Sequence, residues 1–157
     1  MTSAENTSAG PASSGGASTR TPAEVVRAVM DCVSRGLTGD VTAGADILGL
    51  YADPTYVIHP MRPELPPIVT RDDFQRHSAA IAADRATPES HRAADVVIHQ
   101  TTDPELVVTE FHYETVVDGT TLFMPCVWVT RVRDGRIVEA HDYNGTPSTT
   151  RPSPRAG

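Results

Sequence analysis

The stretch Val116–Asn144, VVDGTTLFMPCVWVTRVRDGRIVEAHDYN, decides the fold. It carries two Asp-Gly pairs, Asp118-Gly119 and Asp134-Gly135, each flanked by apolar and β-branched residues. Asp-Gly readily takes two successive positive φ angles, the backbone that a two-residue hairpin needs. The spacing predicts strands over Leu106–Val117, Thr121–Arg133 and Arg136–Tyr143, preceded by one over Ala93–Gln100. Strands joined this closely pair as an antiparallel meander. Within Leu122–Val129 both alternating sets are apolar: Met124, Cys126 and Trp128 on one face, Phe123, Val127 and Val129 on the other. A strand with one wet face alternates apolar with polar. One face is therefore expected beneath helices, and the other against a second copy of the chain, which predicts a homodimer.

Upstream, the pattern turns helical. Thr21-Pro22-Ala23-Glu24 reads as a cap, a proline at the first helical position and an early acid. Val25, Val26, Val29, Met30 and Val33 then recur on one face until Gly36 and Gly39. A second helix is expected over Ala43–Tyr51, stopped by Asp53-Pro54, and a short strand over Thr55–His59, closed by Pro60. Thr70-Arg71-Asp72-Asp73 caps a third helix that runs to Ala83. Helices segregated from strands give an α+β domain over residues 21–144.

Residues 1–20 contain no Val, Ile, Leu or aromatic residue, and residues 145–157 are rich in Pro, Ser and Thr. Such segments bury too little apolar surface to offset the entropy of ordering them. A disordered leader and a disordered tail are the expectation.

The chain has 157 residues, 39% hydrophobic and 21% charged, with a formal charge of −7. That balance argues against nucleic acid or an anionic membrane as partner. All 13 basic residues are arginine, so no side-chain amine is present to form an imine with a substrate carbonyl. No apolar run reaches the ~20 residues of a membrane span. Cys32 and Cys126 are too few for a disulfide framework, which suits a cytoplasmic protein. The sequence has no CxxC or HxxxH, and no metal site is expected.

The order helix, helix, LYADPTYVIHP, a Pro-rich loop, TRDDFQRH and the meander resembles the SnoaL-like and ketosteroid-isomerase-like superfamily, with its nuclear-transport-factor fold. The resemblance implies a cone-shaped barrel in which a curved antiparallel sheet packs on three helices around a pocket, frequent dimerisation and no cofactor. Within the superfamily, TRDDFQRH, TTDPELVVTE and DGRIVEAHD are most similar to the phenazine-biosynthesis family PhzA/PhzB. That likeness implies an active-site histidine at His77 and an active-site carboxylate, a Glu in that family, at Asp142. Against the ketosteroid isomerases, His59 takes the place of the general base before a proline, while their oxyanion-hole Asp and Tyr fall at Trp128 and Cys32.

Strand parity puts Ala140, Asp142 and Asn144 on the pocket face. A carboxylate facing an apolar interior has a raised pKa and becomes useful as an acid near neutrality. The plainer alternative for Asp142 is a backbone cap at a strand end. His77 and His59 titrate in the right range for proton transfer, or are a helix histidine and a loop histidine of no special role. Trp128, Tyr51, Phe111, Tyr113, Met124, Cys126 and Asn144 are the expected pocket lining, with Cys126 an inert thiol. His112, His91, His99 and His141 are expected in solvent. Together these residues suggest a cofactor-independent acid–base enzyme of natural-product biosynthesis that acts on a carbonyl-containing intermediate by cyclisation, isomerisation, dehydration or condensation. A non-catalytic small-molecule binding module, or a structural dimer partner of the same fold, is the alternative.

Overall fold

A computed structural model of the chain describes residues 19–83 and 86–153. The expected leader, residues 1–20, lies outside the described residues apart from Thr19 and Arg20. Helix α1, Pro22–Leu37, starts at a reciprocal cap. The Thr21 hydroxyl accepts the Glu24 N–H (3.3 Å), and the Glu24 carboxylate accepts the Thr21 N–H (2.7 Å). Its buried face is Val25, Val26, Val29, Met30 and Cys32, packed on the sheet. Helix α2, Ala43–Leu48, is shorter than expected, because the chain turns at Gly49. Arg35 ties the two helices together through Asp31 (2.8 Å), Asp40 (2.7 Å) and Asp46 (2.9 Å).

Strand β1 spans Tyr51–Ile58, so Tyr51 opens a strand rather than closing a helix. Asp53-Pro54 does not stop an element: it lies within β1, where the register shifts between Tyr51 and Tyr56. Proline is tolerated there because β1 is an edge strand. Helix α3, Arg71–Ala83, begins at Thr70, whose N–H is accepted by Asp73 Oδ2 (2.8 Å) while the Thr70 hydroxyl accepts the Asp73 N–H (3.2 Å). No residue of α3 is buried. It is pinned by single contacts: Phe74 on Tyr51 (5.1 Å between centroids), His77 on His59, and Arg71 near Asp53 (3.6 Å).

The remaining strands are β2 (Ser90–Gln100), β3 (Leu106–Val117), β4 (Thr120–Arg133) and β5 (Arg136–Asn144). They form the expected antiparallel meander. Asp118, Gly119, Asp134 and Gly135 all have φ between 48° and 71°, the left-handed pair at each hairpin. Gly135 is required twice over, since a Cβ there would also sit 3.0 Å from Thr19 Cγ2. The architecture is α+β with three helices, as expected, but the sheet departs from a closed antiparallel barrel. Its order is β1-β5-β4-β3-β2, β1 runs parallel to β5, and β1 and β2 are separate edges.

Residues 145–153, expected to be unstructured tail, run beside β4. Phe123 and Ser148 exchange backbone hydrogen bonds (2.7 and 3.0 Å), and Arg151 reaches Asp95 and Glu114 (both 3.5 Å). That segment helps to cover His112, which is 4% exposed instead of in solvent. His112 does lie on the outer face, as parity requires, but it packs against Phe123 (5.8 Å), with Nε2 3.2 Å from Glu114. His91 is likewise buried. Strand β2 starts three residues earlier than expected, which puts His91 level with Thr115 and its ring against Tyr113.

Candidate functional site

The inner face of the sheet brings the expected residues together by register. Phe111 pairs with Cys126, Tyr113 with Met124, Cys126 with Asn144 and Trp128 with Asp142. On the other side of β5, Val57 pairs with Ala140 and Ile58 with His141, so His59, the residue just after β1, comes level with Asp142. His59 Nε2 lies 4.0 Å from Asp142 Oδ2, and the two side chains are 10% and 13% exposed. His77 reaches the same point from α3 and stacks on His59, 4.7 Å between centroids and 17° between planes. Three residues 18 to 83 positions apart in the chain thus form one cluster.

Burial sets the charges of this cluster. It pushes the Asp142 carboxyl up to about 7. It pushes His59 down to about 4, helped by the nearby positive charges that His77 and Arg62 would place there. It lowers His77 as well. Near pH 6, therefore, His59 is a neutral imidazole and Asp142 is largely the carboxylic acid. At 4.0 Å the two are beyond hydrogen-bond range, and with both neutral they are not an ion pair. The Nδ1 atom of His59 is buried without a hydrogen-bond partner among the described residues.

The core beside the cluster is aromatic and apolar. Phe111 meets Trp128 edge-on at 4.7 Å and Tyr113 edge-on at 5.0 Å. The Trp128 indole N–H donates to Asn144 Oδ1 (3.0 Å). Cys126 donates to the Met124 carbonyl (3.4 Å), and burial in the core pushes its thiol up to about 12, which makes it inert. Tyr51 is buried beneath Phe74 and stays protonated.

A cavity of about 270 Å³ opens beside the Asp118-Gly119 hairpin, lined by Leu37, Pro88, His91, Leu122, Met124 and Pro147 among others. Of the expected pocket residues it takes Met124. His59, His77 and Asp142 are not in its wall. The residue that sequence reasoning missed is His91, which lines the cavity and stacks on Tyr113 (4.4 Å). The missed signal is Ser90, a β2 start that would have placed His91 on the inner face. Among the described residues, no group of three or more His, Cys, Asp or Glu is arranged to hold a metal ion, and no helix is long and apolar enough to cross a membrane.

Solved structures share this fold at low identity. A provisionally assigned polyketide cyclase from Xanthomonas campestris pv. campestris matches with a TM-score of 0.59 at 17% identity, covering 78% of this chain and 88% of its own. One from Pseudomonas putida KT2440 gives 0.57 at 20%, covering 79% and 91%. A hypothetical protein with a ketosteroid-isomerase-like fold from Catenulispora acidiphila DSM 44928, in complex with trimethylamine, gives 0.58 at 20%, covering 80% and 88%. No curated protein matches the sequence. The model of the SnoaL-like domain matches residues 26–140, from within α1 to within β5. Since that match covers most of the chain, with β1 to β4 whole and α1 and β5 in part, the chain belongs to the SnoaL-like domain family.

Proposed function

We propose that this chain is a cofactor-independent acid–base enzyme that moves a proton next to a carbonyl group of a small natural-product intermediate. The observation that carries the reading is the His59–Asp142–His77 cluster, in which a neutral base and a neutral acid lie 4.0 Å apart in a buried site. In this reading His59 takes a proton from the carbon beside the carbonyl. The C–H electron pair becomes the enol double bond, and Asp142 gives its proton to the carbonyl oxygen. Return of a proton at a different carbon completes an isomerisation; attack of the enol carbon on a second carbonyl completes a cyclisation. His77 holds the His59 ring. The likeness to PhzA/PhzB supports Asp142 and His77 as members of the site. A cytoplasmic protein of specialised metabolism fits this role.

The test is exchange of the α-hydrogens of bicyclic and polyketide-like ketones with D2O, followed by NMR, alongside a thermal-shift screen. Wild type is expected to bind and exchange; Asp142→Ala with His77→Ala is expected to bind without exchange. A second reading has its own support, because the 270 Å³ cavity does not include the acid–base cluster in its wall. A binding module predicts ligands that stabilise both proteins equally and are never exchanged.

The homodimer belongs to the same proposal. Val127 and Tyr143 face each other across β4 and β5 on the outer sheet face, 37% and 38% exposed. Val127→Glu is expected to yield a folded monomer in sedimentation equilibrium; an unchanged dimer, or a monomeric wild type, refutes that interface.

A further inference from the structure

Strand β5 ends opposite Cys126, so the β4 residues before it, Thr120 to Pro125, run on past β5. A bare strand edge recruits other strands. Here the chain covers its own edge. The Gly145 N–H donates to the Pro125 carbonyl (2.8 Å), and Phe123 and Ser148 bond each other (2.7 and 3.0 Å). Glycine is needed at this root, since a Cβ on residue 145 would lie 3.0 Å from both the Pro125 carbonyl oxygen and its ring. Between these two anchors Pro147 enters the wall of the cavity of about 270 Å³. Other sides of that wall are firmly held: Leu37 ends α1, His91 stands on β2, and Leu122 and Met124 stand on β4.

Beyond Ser148 the segment reaches the outer sheet face. The Arg151 guanidinium lies over the Phe123 ring (6.0 Å) and 3.5 Å from the carboxylates of Asp95 and Glu114. Asp95 is on this face because β2 is distorted. Ala94 pairs with the outward His112, so in a regular strand the next residue would point inward. Instead the register shifts between Ala94 and Val97, and Asp95 takes a φ of 53°. A bulge re-aims a side chain. The Asp95 carboxylate thereby comes to 3.7 Å from His112 Nδ1 and within reach of Arg151. The fastening is light, for residues 146–151 are all exposed and both Arg151 pairs are long. Exposed pairs of this kind are weak and screened by salt.

We propose that residues 145–151 form a strap that gates the cavity. Arg151 latches it on Asp95 and Glu114, and its release takes Pro147 out of the wall, so that a small, uncharged, apolar molecule enters or leaves. The lining sets that class. It holds no Asp, Glu or Arg, and its polar groups serve each other, with His91 Nδ1 and Thr115 Oγ1 bonded at 2.8 Å. An apolar cavity of about 150 Å³ holds benzene, so this one suits two fused rings. The strap stands apart from the acid–base reading, since Arg151, Asp95 and Pro147 do not belong to the His59–Asp142–His77 cluster.

A gate must open for entry and for exit, so loosening it speeds both and leaves affinity unchanged. The probe is 1-aminonaphthalene, uncharged at neutral pH, followed by its own emission in stopped flow with the full chain. Arg151→Gln and Asp95→Asn are each expected to raise the association and dissociation rates about 5-fold at constant Kd, and the double variant no further. Salt at about 0.5 M is expected to do the same to wild type and nothing to Arg151→Gln. Gly145→Ala, which lifts the root, is expected to speed both rates as well. Without ligand, amide hydrogen exchange at Phe123 and Ser148 is expected to quicken about 5-fold in Arg151→Gln, while Ile137, bonded to the Leu50 carbonyl, keeps its rate. Faster release without faster entry makes Arg151 a prop of the wall and overturns the gate. Unchanged exchange at Phe123 and Ser148 overturns the latch. Failure of wild type to bind the probe overturns the cavity as what the strap guards. The α-hydrogen exchange assigned to His59 and Asp142 is a separate measurement, and its failure strikes the acid–base reading while leaving the gate.

Discussion

Asp142→Asn is expected to stabilise the folded protein above pH 7 by on the order of 4 kcal/mol and to leave it unchanged near pH 4. The sign follows from the raised carboxyl. Asp142 has a folded value of about 7 against 3.8 in a free side chain. Below 3.8 it is protonated in both states and has no effect. As pH rises, the unfolded chain releases the proton and the folded chain does not, so stability falls by about 1.4 kcal/mol per pH unit until pH 7. Asparagine has the same shape and no proton to release, so it escapes the loss. The 13% exposure of the side chain makes this a ceiling rather than a central value. His59 acts in the opposite direction. Its folded value of about 4 against 6.5 in a free side chain means that its contribution is lost as pH falls from 6.5 to about 4, in both proteins. Urea denaturation from pH 4 to 8 checks the difference; parallel stability curves for wild type and Asp142→Asn would sink the claim that this carboxyl is neutral inside the fold.

The second large effect is on rate. His59→Gln is expected to slow α-hydrogen exchange by about 10²–10⁴-fold, the usual contribution of a general base. The wild-type rate should follow a bell. It rises as His59 loses its proton near pH 4 and falls as Asp142 loses its proton near pH 7. The active form is thus base-neutral and acid-neutral, with its optimum between those limits. In Asp142→Asn the alkaline limb should vanish from what activity remains, because asparagine does not titrate. A rate that climbs steadily to pH 9, or a His59→Gln protein as fast as wild type, contradicts the assignment.

Much of this was legible in the sequence for a local reason. The Asp-Gly pairs set both hairpins, and a hairpin sets register, so Phe111, Tyr113, Cys126 and Trp128 could be assigned to one face by counting in twos, whereas Asp142 stands opposite Trp128 because the register shifts between Arg131 and Val132. Caps did the same for α1 and α3. What escaped was non-local. The parallel seating of β1 on β5 depends on the partner rather than on β1, and it is this seating that brings His59 level with Asp142. The burial of His112 needed Phe123 and Arg151, from the neighbouring strand and from beyond the last one. His91 was missed because the polar string Glu89-Ser90-His91-Arg92 has no apolar alternation, although Glu89 N–H already bonds the Val116 carbonyl (2.8 Å).

Helix α3 has a consequence for how the acid–base cluster meets water. None of its residues is buried, and among the described residues Phe74 against Tyr51 and the core, the His77 stack and the long Arg71–Asp53 pair hold it. Regions with so little buried apolar contact sit at the low end of a protein's spread of local opening energies. Lifting α3 would take His77 off His59 and Phe74 off Tyr51, while α1 keeps its own buried face on the sheet. The proton affinity of His59 is then a property of the closed state alone: rehydrated, the ring regains basicity, and on re-docking it sheds its proton. In the acid–base enzyme proposed above, a cycle of opening and closing would therefore reset the base, with the helix as the valve.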